Sequence, residues 1–287
     1  MHINKQLATE AAAQALRLRK RLGIPISESV SALDVAERLD IEVRLIDIPS
    51  MEGVYVAGSA PTILLSSLRP QGRRNFTCAH EIGHHIFGHG EQFDELTDEK
   101  SSMRKSDPKE FSADCFAAYF LMPKSSIENG MKCRGYTYEF LVPTQVYALA
   151  SWLGVGYSTL VNHLRYGIGT ISRNKAQELQ RSSPKDIRQE LLGYSTATPL
   201  HLADEHWIGR AIDCEVGDCL MLPYGSYFER GQLAVLNTQR DSTLIEAQSS
   251  GVARAGNEQL GWSAFVRVSP HEFTGRACYR FEEEVAE

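Results

Sequence analysis

The stretch "FTCAHEIGHHIFGHG" at residues 76–90 contains two histidines four residues apart, with a glutamate directly after the first. Four residues turn an α-helix through about 400°, so His80 and His84 project from one face and can reach one metal ion. Glu81, about 100° round from His80, is placed to take a proton from a water in an open coordination position and to deliver it to a leaving amine. This is the H-E-x-x-H arrangement of zinc peptidases, although five letters also match by chance in a histidine-rich helix.

A third ligand is available downstream in "PKEFSADCFAAYFLMP", residues 108–123, which prolines at both ends mark as a helix. A catalytic zinc commonly has three protein ligands and one open position. Glu110 and Asp114 are four residues apart, so Glu110 can bind the metal while Asp114 accepts the other ring N–H of a ligating histidine. The alternative is that both acids only favour the dipole at the start of an amphipathic helix.

Together, "RRNFTCAHEIGHHIFGH" (73–89) and "EFSADCFAAYFLMP" (110–123) resemble the ImmA/IrrE family of metallopeptidases, over roughly residues 5–170. In that family an H-E-x-x-H helix precedes a helix of the form E-x-x-A-N/D-x-F-A-x-x-L-L-x-P. The resemblance implies that His80, His84 and Glu110 bind Zn²⁺, with Mn²⁺ as the alternative, and that Glu81 is the general base. This sequence departs from the pattern at Phe120, where leucine is usual, and has Asp114 where asparagine is frequent.

The resemblance also implies a function. Relatives cleave repressors of the helix-turn-helix type, so we expect a zinc-dependent metallo-endopeptidase that relieves repression of stress-response or mobile-element genes. The competing hypothesis is a non-proteolytic regulatory or antitoxin-like binding protein with a structural metal site. Glu81 favours the enzyme, because a structural site does not need a general base beside its ligands.

The segments before the histidines predict a small sheet between helices. Strong helix formers at 8–23 end at a glycine, and "SALD" at 31–34 resembles a capping box that opens a second helix. Period-two alternation at 41–48 predicts a strand, and the β-rich runs at 53–58 and 62–67 predict a hairpin.

The remaining sequence predicts two further parts. Residues 143–169 resemble a helix-turn-helix, which we interpret as a structural subdomain because its second helix carries few basic residues. Residues 171–199 predict a polar linker with short helices, and short β-type runs predict a small β-rich domain at 200–287. The fold class is therefore α+β: a zincin-like metallopeptidase domain at 1–170 followed by this β-rich domain, which we expect to restrain or direct the peptidase.

Composition and charge are those of a folded protein without a nucleic-acid surface. The chain has 287 residues, 43% hydrophobic and 23% charged, with a net charge of −6. Residues 196–287 carry 7 arginines, no lysine and 14 acidic residues, so no broad basic surface for DNA is expected. The cluster "RLRKR" at 17–21 predicts a solvated helix face.

The expected compartment is the cytoplasm. The start has no signal-peptide pattern, and no apolar run is long enough to cross a membrane. Six scattered cysteines indicate reduced thiols, and the C-x4-C spacing of Cys214 and Cys219 is a poor zinc pair. The sequence leaves the oligomeric state open.

Other polar residues near the motif have less certain roles. On an unbroken helix His85 and His89 point away from the metal, so we treat both as non-ligands. Cys78 is expected to be a small buried residue. A donor to the developing oxyanion is left unassigned among five residues: Tyr55, Arg74, Tyr119, Tyr136 and Tyr138.

Overall fold

The computed structural model describes residues 2–90, 92–95, 107–208 and 210–283. Up to residue 90 it contains α1 (His2–Arg21), α2 (Ala32–Arg38), β1 (Glu42–Ile46), β2 (Met51–Val56), β3 (Thr62–Ser66) and α3 (Gln71–Phe87). The predicted order of helices, strand and hairpin is confirmed, although α1 begins six residues earlier than expected because nothing before residue 8 breaks a helix. Ser31 caps α2, its side chain accepting a hydrogen bond from the backbone N–H of Asp34 at 3.4 Å.

A five-stranded sheet has the order β13-β1-β3-β2-β4, in which β4 is Gln92–Glu95 and β13 is Gly275–Arg276. Strands β2 and β3 pair antiparallel, with Val56 opposite Thr62, while β1 and β3 run parallel. The alternating side chains of Val43, Leu45 and Ile63 are buried in the hydrophobic core. The sheet therefore presents an apolar face to the helices, which confirms the hairpin and its strand partner.

Seven helical segments follow in the described residues between 107 and 193. They are α4 (Pro108–Leu121), α5 (Lys124–Cys133), α6 (Pro143–Leu153), α7 (Tyr157–Asn162), a π-helical turn (His163–Gly167), α8 (Arg173–Gln180) and α9 (Pro184–Leu192). Helices α6 and α7 are joined through Gly154, which has a φ of 69°. Leu149, Leu160 and Leu164 are fully buried, so the helix-turn-helix-like pair uses its apolar positions for the core.

The basic cluster of α1 differs from the prediction of a solvated face at one position. Arg19 is fully buried, because it lies four residues after the buried Ala15 on the face of α1 that packs against α4. Its guanidinium donates hydrogen bonds to the carbonyls of Phe120 and Pro25, both at 2.7 Å, and to that of Glu28. Arg19 thus joins α1, the end of α4 and the loop before α2.

The C-terminal part is rich in β-structure, as predicted. Its strands are β5 (Leu200–Leu202), β6 (Ile212–Glu215), β7 (Cys219–Pro223), β8 (Tyr227–Phe228), β9 (Leu233–Thr238), β10 (Ser242–Ala247), β11 (Gly251–Asn257) and β12 (Trp262–Ser269). They form two four-stranded sheets of order β5-β7-β10-β9 and β6-β12-β11-β8. The α+β fold class with a β-rich C-terminal region is therefore confirmed.

The two parts of the chain pack closely against each other. Strand β13 adds to the N-terminal sheet, where Arg276 lies opposite Arg44 on β1. Buried apolar residues of both parts belong to one continuous hydrophobic cluster. Arg74 on α3 also forms a buried ion pair with Glu215 on β6. The division at 170 and 200 stays a prediction about domains, but the parts share a core.

Two observations bear on the expected compartment. All six cysteines lie in described parts of the chain, and all are free thiols. Among the helices that the structure describes, none has the length and apolar character needed to span a bilayer.

Candidate metal centre

The two motif histidines lie in the last two turns of α3. The helix ends at Gly88, whose φ of 64° is left-handed and suits glycine. His80 is 5% exposed and His84 is fully buried, so both rings face the protein interior. Their Nε2 atoms are 2.9 Å apart, as the four-residue spacing on one helical face requires.

Glu110 joins the histidines from the first turn of α4. Asp107 caps this helix by accepting a hydrogen bond from the backbone N–H of Lys109 at 2.8 Å. The carboxylate oxygens of Glu110 lie 3.5 Å from Nε2 of His80 and 3.4 Å from Nε2 of His84. One atom from each of these three residues lies within 4.8 Å of the other two. The chain thus brings two imidazoles and one carboxylate to a point where they can hold one ion.

Small residues allow α3 and α4 to approach closely at this centre. A Cβ atom built on Gly83 would lie 3.2 Å from Cα of Ala113 and 3.2 Å from Cδ1 of Phe116. These distances are shorter than ordinary carbon–carbon contacts of about 3.5–4.0 Å. Glycine at position 83 therefore permits the helix spacing that brings Glu110 to the histidines.

The ring nitrogens that face away from the centre also have partners. Nδ1 of His80 is 2.9 Å from Oδ1 of Asp114, whose side chain is 64% exposed. The carboxylate accepts the Nδ1 proton, which leaves the lone pair of Nε2 directed at the centre. Nδ1 of His84 is 3.0 Å from Nδ1 of His89, so one ring donates to the other.

The contact of His89 with His84 was missed from the sequence. The prediction placed His89 on the far side of an unbroken helix, but the helix ends at Gly88 and the chain turns back. The backbone N–H of His89 donates to the carbonyl of His84 at 3.1 Å, which holds this reversal. Gly88 itself was the available signal, since glycine is the common residue just after a helix end.

The two histidines have shifted pKa values of opposite sign. Burial alone would lower the pKa of His80, but hydrogen bonds to Asp114 and Glu110 outweigh it and raise that pKa well above the usual range. Burial and the neighbouring His80 lower the pKa of His84 to about 3. Without a metal the centre therefore favours one proton, and so one positive charge, beside a neutral imidazole. A bound metal cation would take the place of that proton, because both histidines have to be neutral to bind it.

The third motif residue, Glu81, is 1% exposed and lies beside β2. A Cβ atom built on Gly53 of β2 would lie 2.5 Å from Cγ2 of Thr77 and 2.9 Å from Oε1 of Glu81. No side chain larger than hydrogen fits at position 53 without moving its neighbours. Glycine at this position therefore brings β2 directly against the carboxylate of Glu81.

A cleft of about 1530 Å³ lies between the N-terminal and C-terminal parts of the chain. His80, Glu110 and Asp114 line one region of it, together with Thr77. Its walls also include side chains of β6 and β12 from the C-terminal part, so both parts shape the access to the metal centre. Glu215 of that wall hydrogen-bonds Arg74 of α3.

The five candidate oxyanion donors have separate environments. The hydroxyl of Tyr55 lies 2.7 Å from Nδ1 of His85, which gives that histidine a partner away from the centre. The hydroxyl of Tyr119 donates to the carbonyl of Gly167 at 3.0 Å. Of the five, Arg74 is the one that lines the cleft within the described residues. Cys78 is fully buried, and burial raises the pKa of its thiol.

The two histidines and the glutamate of the centre fit a divalent metal ion. Two histidines and one glutamate form one of the ligand sets of catalytic zinc sites with an open position. In this structure each histidine also has its second ring nitrogen held, by Asp114 for His80 and by His89 for His84. The residues present can therefore bind a divalent metal ion.

The site and the order of elements around it define a metallopeptidase-like domain. Residues 36–165 match the model of the IrrE N-terminal-like domain, the family Peptidase_M78. This range contains α3, α4 and the residues of the centre. Residues 36–165 therefore match the ImmA/IrrE family, which the resemblance of the two motifs implied.

Other comparisons add little to this assignment. A solved structure described as a Mycobacterium tuberculosis transcriptional regulator is 18% identical, with a TM-score of 0.35, and the match covers 56% of this chain. The match spans 46% of that regulator, less than half of its length. The cysteine protease inhibitor EhICP2 from Entamoeba histolytica matches at 7% identity and a TM-score of 0.20, over 26% of this chain and 99% of the inhibitor. A comparison with curated proteins gave no match.

Proposed function

We propose that this chain is a Zn²⁺-dependent endopeptidase, with Mn²⁺ as the alternative ion, and that it acts in the cytoplasm. The observation that carries the proposal is the group of His80, His84 and Glu110, in which both histidines are buried, with the buried Glu81 beside them on α3. The match of residues 36–165 to a peptidase family supports it. The substrate class that we propose is a helix-turn-helix transcriptional repressor of stress-response or mobile-element genes, in line with the family resemblance.

Each residue of the centre has a distinct role in this proposal. When bound, a divalent ion supplies Lewis acidity to a water and to the scissile carbonyl. His80, His84 and Glu110 hold the ion, and Asp114 keeps the His80 proton on Nδ1 so that Nε2 can donate its lone pair. Glu81 accepts a proton from the attacking water and returns it to the leaving amine.

The test separates metal binding from turnover with the substitution Glu81→Gln. The amide has nearly the volume of the carboxylate, so the metal content measured by mass spectrometry should stay at the wild-type level. An amide cannot accept the proton at neutral pH, so cleavage of the repressor encoded beside this gene should fall by about 10² to 10⁴. His80→Ala is the matched control, because it should lose the metal and the activity together. A Glu81→Gln variant that cuts at the wild-type rate would refute the mechanism.

One observation favours the competing function, a binding protein with a structural metal site. Glu81 is 1% exposed and is not part of the cleft lining, whereas His80 and Glu110 are. Wild-type protein that binds its metal and the repressor tightly, but leaves the repressor uncut with either Zn²⁺ or Mn²⁺, would establish that alternative. Cleavage that depends on Glu81 would exclude it.

A further inference from the structure

A row of arginines lies along the junction between the two parts of the chain. Three of them hold carboxylates: Arg134 binds Asp204 at 2.7 Å, Arg267 binds Asp213 and Asp34, and Arg280 binds Asp34 at 3.0 Å. The fourth, Arg210, has no carboxylate within 4.0 Å in the part of the chain that the structure describes. Arg210 lines the cleft and forms no ion pair within the described residues, although Asp213 is near enough to act on its charge.

The guanidinium of Arg210 is held on an aromatic platform. The central guanidinium carbon, Cζ, lies 4.5 Å from the ring centre of Trp207 and 5.9 Å from that of Trp152. Both indoles are buried, and their N–H groups are occupied by backbone carbonyls, at 3.2 Å for Trp207 and 3.1 Å for Trp152. The two rings therefore present fixed faces, which position the guanidinium without supplying it with acceptors.

Most of the hydrogen-bonding capacity of Arg210 is unused. A guanidinium carries five N–H donors, and in the described structure Arg210 donates to one side-chain acceptor, the hydroxyl of Ser29. Arg210 is partly exposed and lines the open cleft, so an anion in the cleft can reach its remaining N–H groups. Burial lowers the pKa of Arg210 to about 10, opposed by Asp213, so the group keeps its charge at neutral pH.

We propose that Arg210, on the platform of Trp207 and Trp152, forms a binding site for a small soluble oxyanion, the carboxylate or phosphate group of a metabolite, which replaces the Ser29 hydroxyl as its hydrogen-bond acceptor. A planar guanidinium fork matches both groups in a two-point hydrogen bond. Ser29 lies in the loop before α2 and Arg210 lies just before β6, so a bound anion competes with a contact between the two parts of the chain. The site does not depend on the proposed peptidase function.

The experiment titrates the full-length protein with inorganic phosphate and, separately, with succinate, at constant ionic strength set with sodium chloride. Two of the three tryptophans of the chain contact Arg210, so a saturable change in tryptophan fluorescence is expected. The change should persist in Trp262→Phe, which removes the tryptophan outside the site. The anion that saturates at the lower concentration identifies the preferred group.

Substitutions locate the binding. Arg210→Lys keeps a charge but loses the planar fork, and affinity should fall about 10- to 100-fold. Arg188→Gln is the matched control, because Arg188 also lines the cleft and donates to backbone carbonyls at 3.4 and 3.5 Å. Its affinity for the anion should equal that of the wild type.

Two outcomes would overturn the proposal. One is the absence of a saturable change with either anion in the wild type, and the other is an unchanged dissociation constant in Arg210→Lys. Should Arg210→Lys fail to fold, Ser29→Ala keeps Arg210 and frees one of its N–H groups. Equal or tighter binding by Ser29→Ala supports the site, and loss of binding refutes it.

Discussion

The close contact of β2 with the motif glutamate predicts that Gly53→Ala impairs catalysis without removing the metal. The added Cβ would lie 2.5 Å from Cγ2 of Thr77 and 2.9 Å from Oε1 of Glu81. Neither His80 nor Glu110 supplies one of the three atoms nearest to it. The substitution therefore acts on Glu81, the proposed general base, and on the spacing of β2 and α3.

The expected magnitude follows from these distances. A carbon–carbon contact normally lies at about 3.5–4.0 Å, so the neighbour at 2.5 Å has to move by about 1 Å. Overpacking of this kind costs about 1–3 kcal/mol of stability. Thr77 and Glu81 lie one helical turn apart on α3, so a shift of α3 away from β2 moves the carboxylate together with the methyl group, and a displacement of about 1 Å in a catalytic group lowers the rate by about 10²-fold. We therefore expect a stable enough protein with normal metal content and about one hundredth of the wild-type turnover.

The assay compares four proteins for metal content, unfolding free energy and repressor cleavage. Gly58→Ala is the control for the glycine substitution itself, because its Cβ would meet nothing within 4 Å. The double variant Gly53→Ala with Thr77→Ser removes the methyl group at 2.5 Å but keeps the contact with Glu81. Recovery of stability without recovery of turnover would assign the catalytic loss to the displaced carboxylate.

A Gly53→Ala protein that matches Gly58→Ala in turnover and in unfolding free energy would contradict the predicted loss of both. Such a result would mean that β2 does not constrain Glu81. If the wild type does not cleave, the predicted loss of about 1–3 kcal/mol relative to Gly58→Ala still tests the contact itself.

Three further predictions concern the helix pair, the outer carboxylate and pH. Gly83→Ala should weaken metal binding about tenfold in chelator competition, because the added Cβ meets the backbone Cα of Ala113 and the ring of Phe116 and ligand distances tolerate only about 0.2 Å; an affinity equal to that of the wild type would contradict this. Asp114→Asn removes the carboxylate that holds Nδ1 of His80, so metal affinity should fall by about 10- to 100-fold with an unchanged circular dichroism spectrum. An affinity equal to that of the wild type would show that Asp114 does not orient the His80 ring. Burial lowers the pKa of His163 to about 4 in the folded protein, whereas an unfolded chain has the ordinary histidine pKa of about 6.5. As the pH falls from about 6.5 to 4, the unfolded chain takes up a proton that the folded protein does not, so about 3 kcal/mol of stability is lost. His163→Gln keeps a donor for the Met122 carbonyl but has no group that titrates in this range. The variant should lose this part of the pH dependence of its unfolding free energy in denaturant, and a pH dependence equal to that of the wild type would contradict the prediction.

The arrangement of the two histidines in the candidate metal centre could be predicted from the sequence, because they lie four residues apart on one helix. Helical periodicity alone places His80 and His84 on one face, and the structure has their Nε2 atoms 2.9 Å apart. Glu110 required more, since 26 residues separate it from His84 and only the family pattern linked the two helices. The helix contact through Gly83 completes that link, and a pattern of spacing does not reveal it.

What the sequence did not predict depends on contacts between distant segments. Arg19 looked like a member of a solvated cluster, but its acceptors come from the loop before α2 and from the end of α4, 101 residues away in the case of Phe120. The closeness of Gly53 to Glu81 likewise joins a strand to a helix. Long-range contacts of this kind have no signature in periodicity or composition, and they decide which polar groups are buried.

Ion pairs connect the two parts of the chain at their junction. Glu215 on β6 pairs with Arg74, and both residues are less than 10% exposed. Arg280 in turn reaches back to Asp34 at the start of α2. Removing one partner of a buried pair leaves an uncompensated charge and costs about 3–5 kcal/mol. The C-terminal part is therefore held to the N-terminal part by charges of both signs.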